Sequence, residues 1–301
     1  MGSSLGFNQY GKAETHLVRV TREGDQHELR DLTVSTSLRG DFAAAHLEGD
    51  QAKVLPTDTQ KNTVFALAKE RGVGAAEEFA LELARHFVDT VESVDLARVT
   101  VHEAAWARID VDGAPHGHAF TRPGGATRTA TSTVQGRDAD QRAWMVSGLR
   151  DLVVLKSTGS EFRGFLADRY TTLADTDDRV LATSLVVQWR SDPTPAEDWD
   201  AQHGRVRDRL LATFAALHSL ALQQTLWEMG RAVLEAEPAI DEVRLTAPNL
   251  HHFLVDLQPF GLDNPGEVYH AADRPYGLIQ ANVVRDGAGD PGLAWLDDSA
   301  R

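Results

Sequence analysis

The sequence has 301 residues, of which 42% are hydrophobic, so the chain can bury a substantial core. The formal net charge of −15 argues against nucleic acid as a partner, and the absence of cysteine excludes disulfides, thiolate metal sites and a cysteine nucleophile. No apolar run is long enough to span a membrane and the first residues lack a secretory pattern, so we expect a cytoplasmic protein without a membrane partner.

The first half of the chain predicts two strands, two helices and two further strands. The strands alternate in polarity, and the second helix places Phe79, Leu83 and Phe87 on one face. The predicted elements are residues 14–20, 28–38, 60–70, 75–91, 97–109 and 118–134.

The second half repeats this order. Its predicted elements are residues 144–157, 179–190, 199–217, 220–236, 243–246 joined to 251–257, and 275–285. The repeat predicts an α+β fold made of two ββααββ units, 1–140 and 141–301, each an antiparallel sheet with helices on one face.

The start of the first predicted helix is unusually polar. Thr57, Asp58 and Thr59 are all favoured helix N-cap residues, and an apolar helical face follows them. A helix N-terminus also presents free N–H groups and a partial positive charge. We therefore expect a capped helix whose first turn is able to hold an anion or a polarised carbonyl.

Two further segments carry candidate binding residues. In the long polar loop between residues 155 and 183, Phe162 is able to stack on a planar ring and Arg179 to grip a planar anion through two parallel hydrogen bonds. Gln223, at a helix start, is able to bind the edge of a heterocycle. The alternatives are a core phenylalanine, a surface ion pair and a solvated glutamine.

Histidines offer two interpretations. In "NLHHF", strand alternation sends Asn249 and His251 to one face and His252 to the other, which suits placing water and moving protons. His116 and His118 point to one side of a strand, as metal ligands often do. No third ligand has a spacing that local structure would fix, so we favour structural histidines there.

The polar motifs together resemble the urate oxidase (uricase) family of bacterial type. The matching segments are "YGK" at 10–12, "TDTQKNT" at 57–63, "LKSTGSEFRGF" with "DRYTTL", "DR" at 178–179, "SLALQQT" and "PNLHHF". The resemblance implies tandem tunnelling-fold (T-fold) units that assemble as a homotetramer around a barrel-walled tunnel. It also implies oxidation of urate by dioxygen and water to 5-hydroxyisourate and hydrogen peroxide in purine degradation, without a cofactor or a metal.

The resemblance also implies roles for individual residues. The proton-relay positions are Lys12, Thr57 and His251. The substrate-binding positions are Phe162 as the stacking ring, Arg179 and Gln223 on the polar edge, backbone groups of Asp58 and Leu222, the Thr57 hydroxyl, and Asn249 for dioxygen or water. In the family the first-unit and second-unit residues meet across a subunit interface.

Three departures from the family pattern stand out. Leu222 replaces a frequent valine, Leu250 replaces a frequent lysine, and residues 297–301 lack the peroxisomal tripeptide of eukaryotic relatives. The Leu250 change removes a charge near the site. The terminal residues agree with the expectation of a bacterial, cytoplasmic enzyme.

Two alternatives remain open from the sequence. One is a zinc-dependent enzyme of the pterin type on the same unit, with His102, His116 and His118 as ligands. The other is a purine-binding protein without turnover. Lys12, Thr57 and His251 argue against the second alternative, since a protein that only binds needs no proton relay.

Overall fold

A computed structural model describes residues 2–194, 198–272 and 274–296 of the chain. Residues 297–301, where the sequence shows no peroxisomal tripeptide, lie outside the described residues. Residue contacts divide the chain into two compact units: the first takes residues 1–148, 190–200 and 289–301, and the second takes residues 149–189 and 201–288. The division into two repeated units near residue 140 stays a prediction.

The first unit is built on an antiparallel sheet in the order β1-β2-β3-β6, with β4 and β5 as a separate hairpin. Its elements are β1 (Tyr10–Thr21), β2 (Glu28–Gly40), α1 (Ala43–Leu47), α2 (Thr57–Glu70), α3 (Ala76–Thr90), β3 (Val94–Ala104), β4 (Ala107–Val111), β5 (Ala114–Thr121) and β6 (Thr127–Gln135).

One face of this sheet is covered by helices. Alternate residues of the strands, such as Leu32 and Val34 of β2, are fully buried in the same core as α3. Phe79, Leu83 and Phe87 of α3 are also buried in that core, which confirms the predicted apolar face. No helix within the described residues has the length and hydropathy that a membrane crossing requires.

The second unit repeats the pattern, with strand order β7-β8-β9-β12 and a separate β10–β11 hairpin. Its elements are β7 (Arg142–Lys156), β8 (Leu181–Ser191), α4 (Trp199–Ala216), α5 (Leu222–Ala236), β9 (Ile240–Pro248), β10 (His251–Leu254), β11 (Tyr269–Ala272) and β12 (Leu278–Val284). β7 and α4 begin in residues of the first unit. Each half therefore follows ββααββ with a small hairpin inserted before the last strand.

The inserted hairpins correct two predictions. The predicted strands 97–109 and 118–134 are each two strands, because the chain leaves the sheet at Trp106 and re-enters it after Gly124 and Gly125, which both have positive φ. The Trp106 indole donates a 2.9 Å hydrogen bond to the buried Asp31 carboxylate and fixes the first departure. The short helix α1 and the strand β11 were not predicted.

Candidate active site

Lys12 lies in β1 where the strand packs closely against β2. A Cβ atom added to Gly11 would lie 1.8 Å from the carbonyl oxygen of Thr36, so the strands approach this closely only because residue 11 is glycine. The Lys12 N–H donates to the Thr36 hydroxyl at 3.1 Å, and a β-bulge follows between Lys12 and Thr15. The backbone of the proposed relay lysine is therefore held at a fixed point.

Helix α2 begins one residue earlier than a threonine cap would place it. Pro56 occupies the N-cap position and no side chain caps the helix, so the prediction that Thr57, Asp58 or Thr59 caps it was wrong. The extended backbone of Pro56 leads directly into helical geometry, which makes Thr57 and Asp58 the first two helical residues. Their N–H groups lack intrahelical acceptors and are available to a ligand.

The charges at this helix start are mutually stabilising. The Asp58 carboxylate is bonded to Lys61 and accepts a 3.0 Å hydrogen bond from Asn62. The Lys61 hydrogen bond and charge lower the pKa of Asp58, and the positive charge of Lys12 lowers it further. Lys12 thus acts electrostatically on the first turn of α2.

In the second unit, the loop before β8 brings Phe162 and Arg179 together. Phe162 exchanges two backbone hydrogen bonds with Thr176, at 2.9 and 3.0 Å, and the Arg179 N–H donates to the Ser160 carbonyl at 2.8 Å. The Arg179 guanidinium carbon lies 5.1 Å from the centre of the Phe162 ring. The Arg179 cation therefore lies over the aromatic ring of Phe162.

The Arg179 guanidinium has a hydrogen-bond donor that is unsatisfied within the described part of the chain. Burial lowers its pKa, and its Nε is buried without a hydrogen-bond partner among the described residues. An unpaired buried donor on a charged group is costly, and an anionic ligand relieves that cost.

Asp178 holds the loop before β8 through hydrogen bonds to its first residues. Its carboxylate accepts hydrogen bonds from the Thr158 hydroxyl at 2.7 Å and the Gly159 N–H at 2.9 Å. The Thr158 bond is the main reason that the pKa of Asp178 lies below its usual value. Asp178 therefore holds the loop, and the guanidinium of the next residue, Arg179, lies over the Phe162 ring.

The start of α5 is tied to the same loop. The Ser219 N–H donates to the Gly159 carbonyl at 2.9 Å, and the Ser219 carbonyl accepts from the Glu161 N–H at 2.8 Å. Leu222, the first helical residue, is buried and Gln223 is exposed. The Gln223 side chain is therefore presented from a helix start whose position relative to Phe162 is set by backbone hydrogen bonds.

Asn249 and His251 lie beside the first residues of β8, which begins two residues after Arg179. Asn249 bridges to Thr183, and the Leu250 N–H donates to the Ala182 carbonyl at 2.9 Å. The His251 ring stacks on Phe253 with centres 5.6 Å apart and planes at 17°. The residues Phe162, Arg179, Leu222, Gln223, Asn249 and His251 thus lie on segments that hydrogen bonds connect within the second unit.

Comparison with known proteins gives the family. The chain matches the sequence profile described as Uricase over residues 8–133 and 145–280. The chain belongs to the uricase family. This identifies the α+β architecture as the uricase T-fold, as the motifs predicted.

Individual members of the uricase family agree along nearly the whole chain. A uricase of Arthrobacter globiformis is 52% identical over 284 residues, which cover 94% of this chain and 91% of the relative. A crystal structure of uricase from that organism is 51% identical, has a TM-score of 0.90 and is matched over 96% of this chain and 98% of its own. A uricase of Danio rerio is 35% identical over 281 residues, 92% of this chain and 93% of the relative.

The histidines of the zinc alternative do not form a metal site in the described part of the chain. The rings of His116 and His118 lie 4.5 Å apart on the β4–β5 hairpin, as the strand alternation predicted, and His27 lies 5.6 Å from His118. His102 lies on β3 between Thr33 and Thr129 of its neighbouring strands. Among the described residues, no group of three or more His, Asp or Glu side chains has an arrangement that could hold a metal ion.

Sequence reasoning missed the residues that support the site. Thr36, Gln60, Asp178 and Ser219 hold the proposed ligand-facing residues but were not singled out for that role. One pattern could have revealed Gln60, because it occupies the place of an apolar residue on the buried face of α2, in line with Val64 and Leu67.

Proposed function

We propose that the chain is a urate oxidase that works without a cofactor. Urate gives two electrons to dioxygen, and one oxygen atom from water is added to the purine ring. The products are 5-hydroxyisourate and hydrogen peroxide, so that urate, dioxygen and water balance the two products. Family membership supports this reaction, as do the relatives named uricase. The observation that carries it is the half-buried Arg179, with its unpaired Nε, beside the Phe162 ring.

In this proposal, binding uses the second-unit residues for shape and charge. The purine stacks on Phe162, while Arg179 and Gln223 bind its polar edge. The N–H of Leu222 and the free N–H groups at the start of α2, including that of Asp58, add donors that favour an anion. Only the backbone of residue 222 is used, so leucine there is compatible with binding.

Proton transfer uses the remaining positions. Lys12, Thr57 and His251 form the path that removes and returns protons, and Asn249 holds dioxygen or water above the ring. Deprotonated urate is electron-rich enough to reduce dioxygen itself. The protein therefore supplies orientation, electrostatic stabilisation of the urate anion and a route for protons.

We further propose that complete sites form at subunit interfaces of a cytoplasmic homotetramer whose units line a tunnel. Support comes from the division of the proposed residues: Lys12, Thr57 and Asp58 belong to the first unit, and Phe162, Arg179 and His251 belong to the second. The cysteine-free sequence is compatible with a reducing compartment.

The test measures three quantities on the purified protein in air: the decay of urate absorbance, the uptake of dioxygen and the release of hydrogen peroxide. We expect equal amounts of the three per turnover, unchanged by dialysis against a strong chelator, and near-complete loss in Arg179→Ala. Urate binding without consumption would support the purine-binding alternative. Activity that is lost on chelation and restored by one metal would support a metalloenzyme.

A further inference from the structure

A buried chain of polar groups connects Lys12 to the start of α2. The Thr36 hydroxyl accepts the 3.1 Å hydrogen bond from the Lys12 N–H and donates a 2.7 Å hydrogen bond to the Gln60 Oε1. The Gln60 side-chain amide in turn donates to the Leu55 carbonyl at 3.4 Å. One hydroxyl therefore bonds to both segments that carry the proposed relay residues of the first unit.

Gln60 is polar where the helix is otherwise apolar. It is fully buried on the same face of α2 as Val64 and Leu67. A buried amide is tolerated only when its hydrogen bonds are made, and an apolar residue of similar size would fill the place at less cost in desolvation. Packing alone therefore does not account for glutamine at this position.

The Thr36–Gln60 bridge lies next to both Lys12 and Thr57. Gln60 follows Thr57 by three residues in the same helix, and its own N–H donates to the Pro56 carbonyl at 3.1 Å. On the other side, the bulge after Lys12 interrupts the regular strand ladder, and the Thr36 hydroxyl replaces a backbone acceptor there. The bridge thus spans from the irregular part of β1 to the first turn of α2.

We propose that Thr36 and Gln60 are positioning residues that hold Lys12 and Thr57 at the separation proton transfer requires. This inference rests on the proposed function and adds two residues that do not contact the substrate. Proton transfer is steeply sensitive to distance, and a displacement of about 1 Å at a reacting group costs on the order of a hundredfold in rate. Substrate binding, which uses Phe162 and Arg179, should be affected much less.

The experiment uses Thr36→Val, Gln60→Met and the double variant in the full-length protein. Thr36→Val leaves the Gln60 Oε1 and the Lys12 N–H without their hydrogen-bond partners and should lower both the melting temperature and kcat. The double variant also removes the Gln60 oxygen that Thr36→Val leaves unpaired, so its melting temperature should be higher than that of Thr36→Val. We expect its kcat for urate to stay about 10- to 100-fold below wild type while KM changes less than about threefold.

Two further variants serve as controls. Thr36→Ser keeps the hydroxyl and should restore kcat to within about twofold of wild type. Thr131→Val removes another buried hydroxyl of the same sheet, bonded at 3.2 Å to Thr100, and should leave kcat unchanged.

The possible outcomes separate this inference from the proposed function. A wild-type protein that does not consume urate refutes the proposed function itself. An active wild type with a stable double variant of unchanged kcat refutes only the positioning role. A loss of kcat in Thr131→Val as large as that in the double variant would also overturn it, because the effect would then follow from any buried hydroxyl.

Discussion

Arg179 shows how one residue gains binding capacity from its surroundings. Its guanidinium is partly desolvated, it lies over an aromatic ring, and its Nε has no partner in the described residues. A lysine at the same place would keep the charge but lose the planar fork that makes two parallel hydrogen bonds.

We predict that Arg179→Lys weakens urate binding by about tenfold to a hundredfold, the worth of one or two hydrogen bonds to a charged group. The melting temperature should change little, because the side chain has no Nε partner to lose. Binding is measured without dioxygen, by calorimetry. Arg163→Lys, in an exposed arginine of the same loop bonded to Asp177, is the control and should bind normally. Normal affinity in Arg179→Lys would mean that another residue grips the urate anion.

Alanine variants of Lys12 and His251 test the proposed proton path residue by residue. Each alanine variant should lower kcat by about a hundredfold or more, with a smaller effect on affinity. Because residues that act in one path are non-additive, the double variant should be little slower than the slower single variant. Steady-state measurement of kcat for the two single variants and the double variant tests this non-additivity. Independent action would instead make the losses multiply.

At the scale of elements, a buried ionic network stabilises the first unit. Arg128 is bonded to Glu77 at 2.6 Å and to Asp200, and Arg30 is bonded to Asp200 at 2.5 Å and to Glu103 at 2.7 Å. The side chains of Arg128 and Glu77 are only 9% and 1% exposed, so water does not replace a lost partner. Burial raises the pKa of Glu77 even though the charge of Arg128 opposes that change.

We predict that Arg128→Met lowers the free energy of unfolding by about 3–5 kcal/mol at neutral pH, since it leaves the buried Glu77 carboxylate without its positively charged partner. The variant should lose less stability at acidic pH. Burial favours the neutral form of the Glu77 carboxyl, so the penalty for its ionised form falls as the pH drops toward the unfolded pKa of about 4.3. Urea unfolding at pH 7 and pH 5 measures both. Arg71→Met, in an exposed pair with Glu82, should cost under about 1 kcal/mol. A similar small cost in Arg128→Met would show that the network contributes little.

The stability that the Asp31 carboxylate contributes should depend on pH in the opposite direction. Burial alone would raise its pKa, but hydrogen bonds from His16 at 2.6 Å, Trp106 at 2.9 Å and Arg122 at 2.6 Å outweigh burial, and the pKa is lowered. A lowered folded pKa gives stability that is present above the unfolded value of about 3.9 and is lost as pH falls through the folded value.

We therefore expect Asp31→Asn to be less stable than wild type by about 1–3 kcal/mol at pH 7. The difference should shrink as the pH falls below about 4. Melting curves from pH 3 to pH 8 follow it. The exposed Asp286→Asn serves as the control and should track wild type throughout. A stability difference that is constant with pH would show that the charge of the Asp31 carboxylate does not stabilise its contacts with His16, Trp106 and Arg122.

The same elements show what the sequence could and could not predict. Apolar spacing located α3 and the paired strands, because each buries one face on a common core. The start of α2 was mispredicted, because three good capping residues outweighed Pro56, whose fixed backbone decides the start. The separation of the β4–β5 hairpin from the main sheet was missed because strand alternation continues through Trp106, whose hydrogen bond to Asp31 is a long-range contact.

At the scale of the whole molecule, the motifs of the chain identified the family, and the structure explains how each motif holds its segment. "YGK" needs glycine for close strand contact, and "DR" pairs a loop anchor with a cation that lies over the Phe162 ring. The proposed sharing of one site by first-unit and second-unit residues does not follow from local patterns, since the two sets of residues lie far apart in the sequence.

We predict that two inactive variants complement each other. If each site takes Lys12 from one chain and Arg179 from its neighbour across an isologous interface, a hybrid of Lys12→Ala and Arg179→Ala chains contains one doubly damaged site and one intact site. With random pairing half of the dimers are hybrids and half of their sites are intact, so activity should approach roughly a quarter of wild type. Co-expression, or unfolding and refolding of the mixture, ensures exchange of subunits. Separately refolded parents are the control and should stay inactive. Hybrids that are demonstrably mixed, for example by two affinity tags, yet remain as inactive as the parents would show that each site is built within a single chain.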